Sequence, residues 1–272
     1  RALRHRNYRL FFTGQSVSLV GTWLTRVATG WLVYRLTHSA ALLGIVGFAG
    51  LIPTFLLSPL AGVLVDRWDR RRILVITQVL SMAQSLTLAA LALSGIITVW
   101  EIIVLNLFQG IINSFDMPAR QTFVVEMVED REDLSNAIAL NSSMFNGARL
   151  VGPSLAGVLI AAVGEGWCFL LDGVSYIAVI VCLLAMRLKQ GDLQRKVMPV
   201  LRGLAEGFRF AFGFAPIRAI LLITALTGLM GMPYTVLMPV FARDVLGGAS
   251  HTFGFMMAAV GLGALCGALY LA

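Results

Sequence analysis

The chain has 272 residues, 58% of them hydrophobic and only 13% charged, against about 25% charged in a soluble domain. With a mean hydropathy of +0.84 it cannot cover its own surface with polar groups, which excludes a soluble enzyme or binding module and places it in a bilayer. The net charge of +7 is not read as nucleic-acid binding, because the basic residues flank apolar runs, where they set membrane topology.

Each apolar run is about 20 residues or longer, enough to cross ~30 Å of hydrocarbon as a helix. The ~10-residue alternating segments of a closed barrel do not occur. In chain order the runs predict eight spans, at 9–34, 41–65, 73–95, 99–119, 137–163, 167–187, 216–242 and 250–272. The connections at 35–40, 95–99 and 163–167 are short; those at 66–72, 120–136 and 188–215 are longer and charged. With a cytoplasmic N-terminus, every Lys and Arg except Arg26, Arg35, Arg149 and Arg243 falls on the inner side, the bias expected of cytoplasmic loops.

The stretch 199–214 reads "PVLRGLAEGFRFAFGF". Leu201, Leu204, Phe208 and Phe212 share one helical face, with Arg202, Glu206 and Arg209 elsewhere. This helix should lie along the inner membrane surface and join two halves. A shift of 210 brings Leu19, Gly21, Thr25, Leu36, Gly44 and Ala49 onto Leu229, Gly231, Thr235, Leu246, Gly254 and Ala259, as a parallel duplication would. The expected organisation is a six-helix half over 1–190, a cytoplasmic linker over 191–215, and the first two helices of a second half over 216–272. The chain opens on Arg1 and closes inside an apolar run, so it reads as a fragment, and no signal peptide is visible.

Polar residues inside the spans are costly, so their placement is informative. Gln15, Ser18, Thr22, Arg26 and Thr29 share a face of the first span. Asn106, Gln109, Asn113, Asp116 and Arg120 do so in the fourth, Ser142, Asn146 and Arg149 in the fifth, and Thr224, Thr227, Gly231 and Thr235 in the seventh. Four stripes suggest one aqueous cavity, with Gln15, Thr22, Arg26, Asn106, Gln109, Asn113, Asn146, Arg149, Tyr234 and Thr235 as candidates to line it. The alternative is hydrogen bonding between helices, which uses Ser, Thr, Asn and Gln freely. Arg26 and Arg149 must face water, an acid such as Asp116 or Asp172, or a substrate. Pro53, Pro59, Pro153, Pro233 and Pro239 favour bends.

No nucleotide-binding loop or zinc motif stands out, and no cofactor is expected. Cys168, Cys182 and Cys266 lie in apolar runs without metal-ligand spacing and read as buried small residues.

The turn "GVLVDRWDRRRIL", 62–74, resembles the signature between the second and third spans of the major facilitator superfamily. Gly62, Leu64, Asp66, Arg67, Arg70, Arg71 and Leu74 match, and Asp69 stands where Gly is preferred. "FDMPARQTFVVEMV" (115–128), "LSNAIALNSSMFNGARLVGPSLAG" (134–157) and "LRGLAEGFRF" (201–210) are similar to its enterobactin-exporter and macrolide-efflux branch, the transmembrane secretion effectors. The resemblance runs nearly end to end. It implies an all-α, polytopic membrane protein with the major facilitator fold, of whose twelve helices this chain would hold about eight. Spans 1, 4 and 7 would line a central cavity.

The resemblance further implies that Gly62, Asp66, Arg67, Arg70 and Arg71, with Asp116 and Arg120, form a cytoplasmic latch between the halves. Gly152, Pro153 and Gly157 stand at the antiporter motif, with Ala148 and Ala156 where that motif prefers Gly. Asn106 stands where a further motif of the family places Arg. The implied activity is proton-driven export of a small amphiphilic compound, such as a drug, macrolide or siderophore, by a monomer in the bacterial inner membrane. Asp116 is the candidate proton carrier. The rivals are a lipid-translocating or importing facilitator, and a membrane sensor or scaffold that transports nothing.

Overall fold

A computed structural model describes residues 2–127, 131–187, 200–231 and 233–271, and among them the regular structure is all helical. After a short turn at Ala2–Arg4 come α1 (Arg6–Thr37), α2 (Ala40–Val65), α3 (Arg70–Leu93), α4 (Val99–Met127), α5 (Arg131–Val163) and α6 (Glu165–Ala185). Then follow α7 (Val200–Gly213), α8 (Ala215–Gly231), α9 (Pro233–Val240), a wider turn at Phe241–Val245, and α10 (Ser250–Leu271). Linker residues 191–199, and the side chains of Leu201, Arg202, Leu204 and Phe208, lie outside the described residues.

Local chemistry sets the helix ends. Ser39 caps α2 by accepting from the Leu42 amide at 3.3 Å, and Asp69 caps α3 by accepting from the Arg72 amide at 2.8 Å. Asp69, the one departure from the signature turn, is thus the residue that starts the third helix. Gly164, at φ +92°, turns the chain between α5 and α6 in a conformation that strains any side chain.

Among the described residues six stretches are long and apolar enough to cross a membrane: α2 to α6, and the run Ala215–Val245. At 32 residues α1 has ample length, and its polar stripe is what lowers its apolarity. Pro53, Pro59, Pro118, Pro153 and Pro239 lie inside helices. Pro233 instead opens α9, where its missing N–H costs nothing, so the expected seventh span is two helices in tandem. Of the cysteines, Cys168 is buried, Cys182 half-buried and Cys266 exposed; Cys266 therefore departs from the buried reading.

The core centres on α1, which packs against α5 and α6. Outward from it, α3 packs on α6 and α4, α2 on α4, and α10 on α5. The ends of α2, α4 and α6 meet the beginnings of α1, α3 and α5 at one face of the bundle, the basic end. There Tyr8 donates to the Ala137 carbonyl at 2.8 Å, His5 meets Asp133 at 3.1 Å, and Asn7 exchanges hydrogen bonds with Arg187 at 2.9 and 3.1 Å. At the opposite end Arg35 pairs with Glu165 at 2.9 Å.

Candidate functional site

The signature turn builds a charged cluster at the basic end. Arg70, at the first turn of α3, is ion-paired with Glu126 at the end of α4 and lies 3.4 Å from Asp66. Arg71 reaches across to α6 and donates to the Leu184 carbonyl at 2.7 Å. Asp66 is exposed and Arg67 half-buried. At Gly62 an added Cβ would meet nothing within 4 Å. The turn therefore braces α2, α3, α4 and α6 together through Arg70 and Arg71. Glu126 was not singled out from the sequence; its acid lies ten residues beyond Asp116 on the same helix.

Asp116 and Arg120 form a second, deeper cluster. Asp116 is 6% exposed and ion-paired with Arg120 one turn along α4. Its Oδ1 also accepts from Thr77 and Gln78 of α3, both at 2.8 Å. Ten residues separate Asp116 from Glu126, about 15 Å of helix, so the two clusters do not touch.

The α4 stripe points to this same seam. Gln109 donates to Ser81 of α3 and to Asn113, each at 3.1 Å, and Asn106 donates to the Ile102 carbonyl beside Gly50 of α2. All three stripe residues are half-buried; Gln109 alone of them bonds to another helix, α3, while Asn106 and Asn113 bond within α4. Gln15, Ser18 and Thr29 of α1 are also buried in the bundle, at 2%, 1% and 8% exposure. Thr22 donates to the Ser18 carbonyl within its own helix.

What faces open space in the middle of the bundle is a group around Trp23. The Arg26 guanidinium stands 4.6 Å from the centre of the Trp23 indole, and that of Arg149, from α5, stands 6.0 Å from it. Arg26 is exposed, Arg149 half-buried and Trp23 buried. Phe145, one turn from Arg149, is exposed and meets Trp23 edge-on at 6.2 Å. Asn146 beside it is half-buried and bonds only within its helix.

Neither acid proposed as a partner is available to these arginines. Asp116 is held by Arg120, and Asp172 of α6 accepts from Thr25 at 2.8 Å and Ser85 at 3.0 Å. Among the described residues neither Arg26 nor Arg149 has a carboxylate partner. A guanidinium at a helix centre costs about 3 kcal/mol on insertion scales, and an indole face returns about 0.5–2 kcal/mol. Trp23 was missed from the sequence because a Trp among apolar residues reads as core.

The "GPSLAG" stretch seats two helices at once. A Cβ on Gly152 would lie 2.4 Å from the Cβ of Trp23, so this glycine is the slot into which Trp23 fits. A Cβ on Gly254 of α10 would lie 2.5 Å from the Pro153 carbonyl and 2.8 Å from the Gly157 Cα. Gly152, Pro153 and Gly157 thus set the distances from α5 to α1 and to α10. Beyond them, Trp31 stacks on Phe253 at 6.3 Å and Tyr34 donates to Asp244, tying α1 to α10 and to the turn before it at the end opposite the basic one. Tyr234 is exposed and Thr235 half-buried on α9.

A bundle of long apolar helices, with most of its charge at the ends and few charged residues inside, defines a multi-pass membrane protein. The whole sequence, residues 1–272, matches the family model of the transmembrane secretion effectors. The chain belongs to that family of the major facilitator superfamily. It is 30% identical to the staphyloferrin A transporter of Staphylococcus aureus over 97% of the chain and 66% of that protein. It is 31% identical to the multidrug efflux pump Tap of Mycolicibacterium fortuitum, over 92% and 62%. It is 27% identical to the enterobactin exporter EntS of Escherichia coli O1:K1 / APEC, over 97% and 63%. The chain thus spans somewhat under two thirds of each of these relatives.

Proposed function

We propose that the whole protein is a secondary active exporter of a small amphiphilic compound, working as a monomer by alternating access in a bacterial inner membrane and driven by protons. The first six helices, 1–190, form one half, the linker 191–215 runs along the cytoplasmic surface, and 216–272 begins the second half. The N-terminus and the basic end face the cytoplasm, as the arginine bias requires.

The observation that carries this reading is that two kinds of contact sit at opposite ends of the bundle. One stretch of α5 closes on α10 through Gly157 and Gly254, while the charges that would latch the halves sit at the far end of the bundle. Alternating access needs two closures that engage in turn, one at each end. Asp66 is the acid we assign to the cytoplasmic closure, with Gly62, Arg67, Arg70 and Arg71 around it. The relatives' names, a siderophore transporter, a siderophore exporter and a multidrug pump, support export of compounds of mixed polarity.

The test uses the full-length gene in bacteria stripped of their own efflux pumps. Retention of lipophilic dyes and of a catecholate siderophore is followed with and without a proton uncoupler. Lower retention that the uncoupler abolishes is the expected result, and Asp66→Asn should weaken it while the protein still inserts. Unchanged retention with the protein in the membrane would overturn the exporter reading in favour of an importer, a lipid facilitator or a non-transporting sensor.

A further inference from the structure

The interior cations are the one charged group that neither the helix seams nor the end clusters account for. Arg26 lies 11 residues before the end of α1 and Arg149 lies 14 before the end of α5, about 16 and 21 Å of helix from that face. Neither therefore belongs to the charge clusters at the helix ends. They come from different helices and converge on the same indole. Two like charges brought together repel, so the arrangement is favourable only when something negative sits between them. Among the described residues the interior acids lie elsewhere: Asp116 is held by Arg120, Thr77 and Gln78, and Asp172 accepts from Thr25 and Ser85 through one oxygen while its other faces Gly21.

We propose that Arg26 and Arg149 bind the carboxylate groups of an organic anion, with Trp23 and Phe145 receiving its apolar or aromatic body. The planar guanidinium presents paired N–H donors that match a carboxylate edge-on, and two of them on facing helices suit a ligand with more than one acidic group. The exposed face of Phe145 stands beside Arg149 and lies against Trp23, so charge recognition and apolar contact are adjacent. This rests on the exporter reading and narrows its substrate class to anionic amphiphiles. The slot formed by Gly152 holds Trp23, and through it the two cations, in place.

The experiment measures binding, which does not depend on transport. Full-length protein in lipid nanodiscs is titrated with pyrenebutyrate and with pyrenebutyramide, which differ in charge and share the aromatic body. The acid should bind at least tenfold tighter than the amide. In Arg26→Gln/Arg149→Gln that preference should vanish with amide affinity unchanged. Arg26→Lys/Arg149→Lys, which keeps both charges, should retain a reduced preference and reports on folding. Equal affinity for the two probes in the wild type, including binding of neither, or a preference that survives the double Gln variant, overturns the proposal. Uncoupler-sensitive export without acid preference removes this inference alone; acid preference without export removes the exporter reading.

Discussion

The seam between α3 and α4 and the seam between α5 and α10 join helices of similar length by opposite means. The first is polar: Thr77, Gln78 and Ser81 of α3 meet Asp116 and Gln109 of α4 through directed hydrogen bonds. The second is built from backbone against backbone, with Gly157 on Gly254, and Gly261 under the Arg149 carbonyl, where an added Cβ would lie 2.8 Å from it. Among the described residues one side-chain hydrogen bond crosses it, from Ser250 to the Gly157 carbonyl at 3.2 Å. A hydrogen bond fixes the register of two helices. Contact between small residues fixes their separation and leaves sliding cheap. The polar seam lies within the proposed first half, and the glycine seam joins it to the second, which is where an alternating-access protein must move.

If the polar seam is the rigid one, removing its central acid should have the largest effect on stability. Asp116→Leu leaves Arg120 without its carboxylate and Gln78 without its acceptor, and Thr77 keeps only the Leu74 carbonyl. Breaking one partner of a buried pair costs about 3–5 kcal/mol. Thermal unfolding of the purified protein should show a clear drop, and Asp116→Leu/Arg120→Met should recover much of it. A double variant as unstable as the single would mean that the pair is not what holds α4 to α3.

The glycine seam should respond to size rather than charge. Gly254→Val places carbon against the Pro153 carbonyl and the Gly157 Cα, which are backbone and must shift; such overpacking costs about 1–3 kcal/mol. Gly263→Val, on the same helix, meets nothing within 4 Å and should be neutral. Export should fall sharply in the first and persist in the second. Equal loss in both would show that α10 tolerates no branched residue anywhere, and the seam would lose its special standing.

How much of this was legible in the sequence follows from the same contrast. Helix positions came through because hydropathy and charge both mark them, while the capping role of Asp69 emerged only from the structure. The polar stripe on α4 was legible as a stripe but not as a direction. Asn and Gln serve a wet cavity and a dry seam equally well, and the partners Ser81, Thr77 and Gln78 sit on another helix. Asp116 was legible as a candidate partner for Arg26 or Arg149, and its pairing with Arg120 came only from the structure. Arg26 and Arg149 were readable as costly, but their meeting over Trp23 depends on how α1 packs on α5, which Gly152 determines through a contact with no signature in one sequence. The Tyr34–Asp244 bond was hidden for the same reason, since it joins residues far apart along the chain.

The smallest effects sharpen the contrast most, because they leave packing nearly intact. Thr77→Val removes one of the donors to Asp116 Oδ1, and Gln78 remains. Ser250→Ala removes the side-chain bond across the glycine seam. A hydrogen bond between membrane helices is worth about 0.6 kcal/mol on average, so both variants should unfold within a degree or two of the wild type. Their export rates should nonetheless differ. Thr77 lies in a seam that keeps one arrangement throughout the cycle, so its loss changes every state alike and leaves the rate unchanged. Ser250 holds a contact made in the state where α5 and α10 touch, so its loss shifts the balance between states. Export measured at saturating substrate should therefore change in Ser250→Ala and not in Thr77→Val. The reverse pattern would place the moving junction between α3 and α4 and remove the distinction on which the mechanism depends.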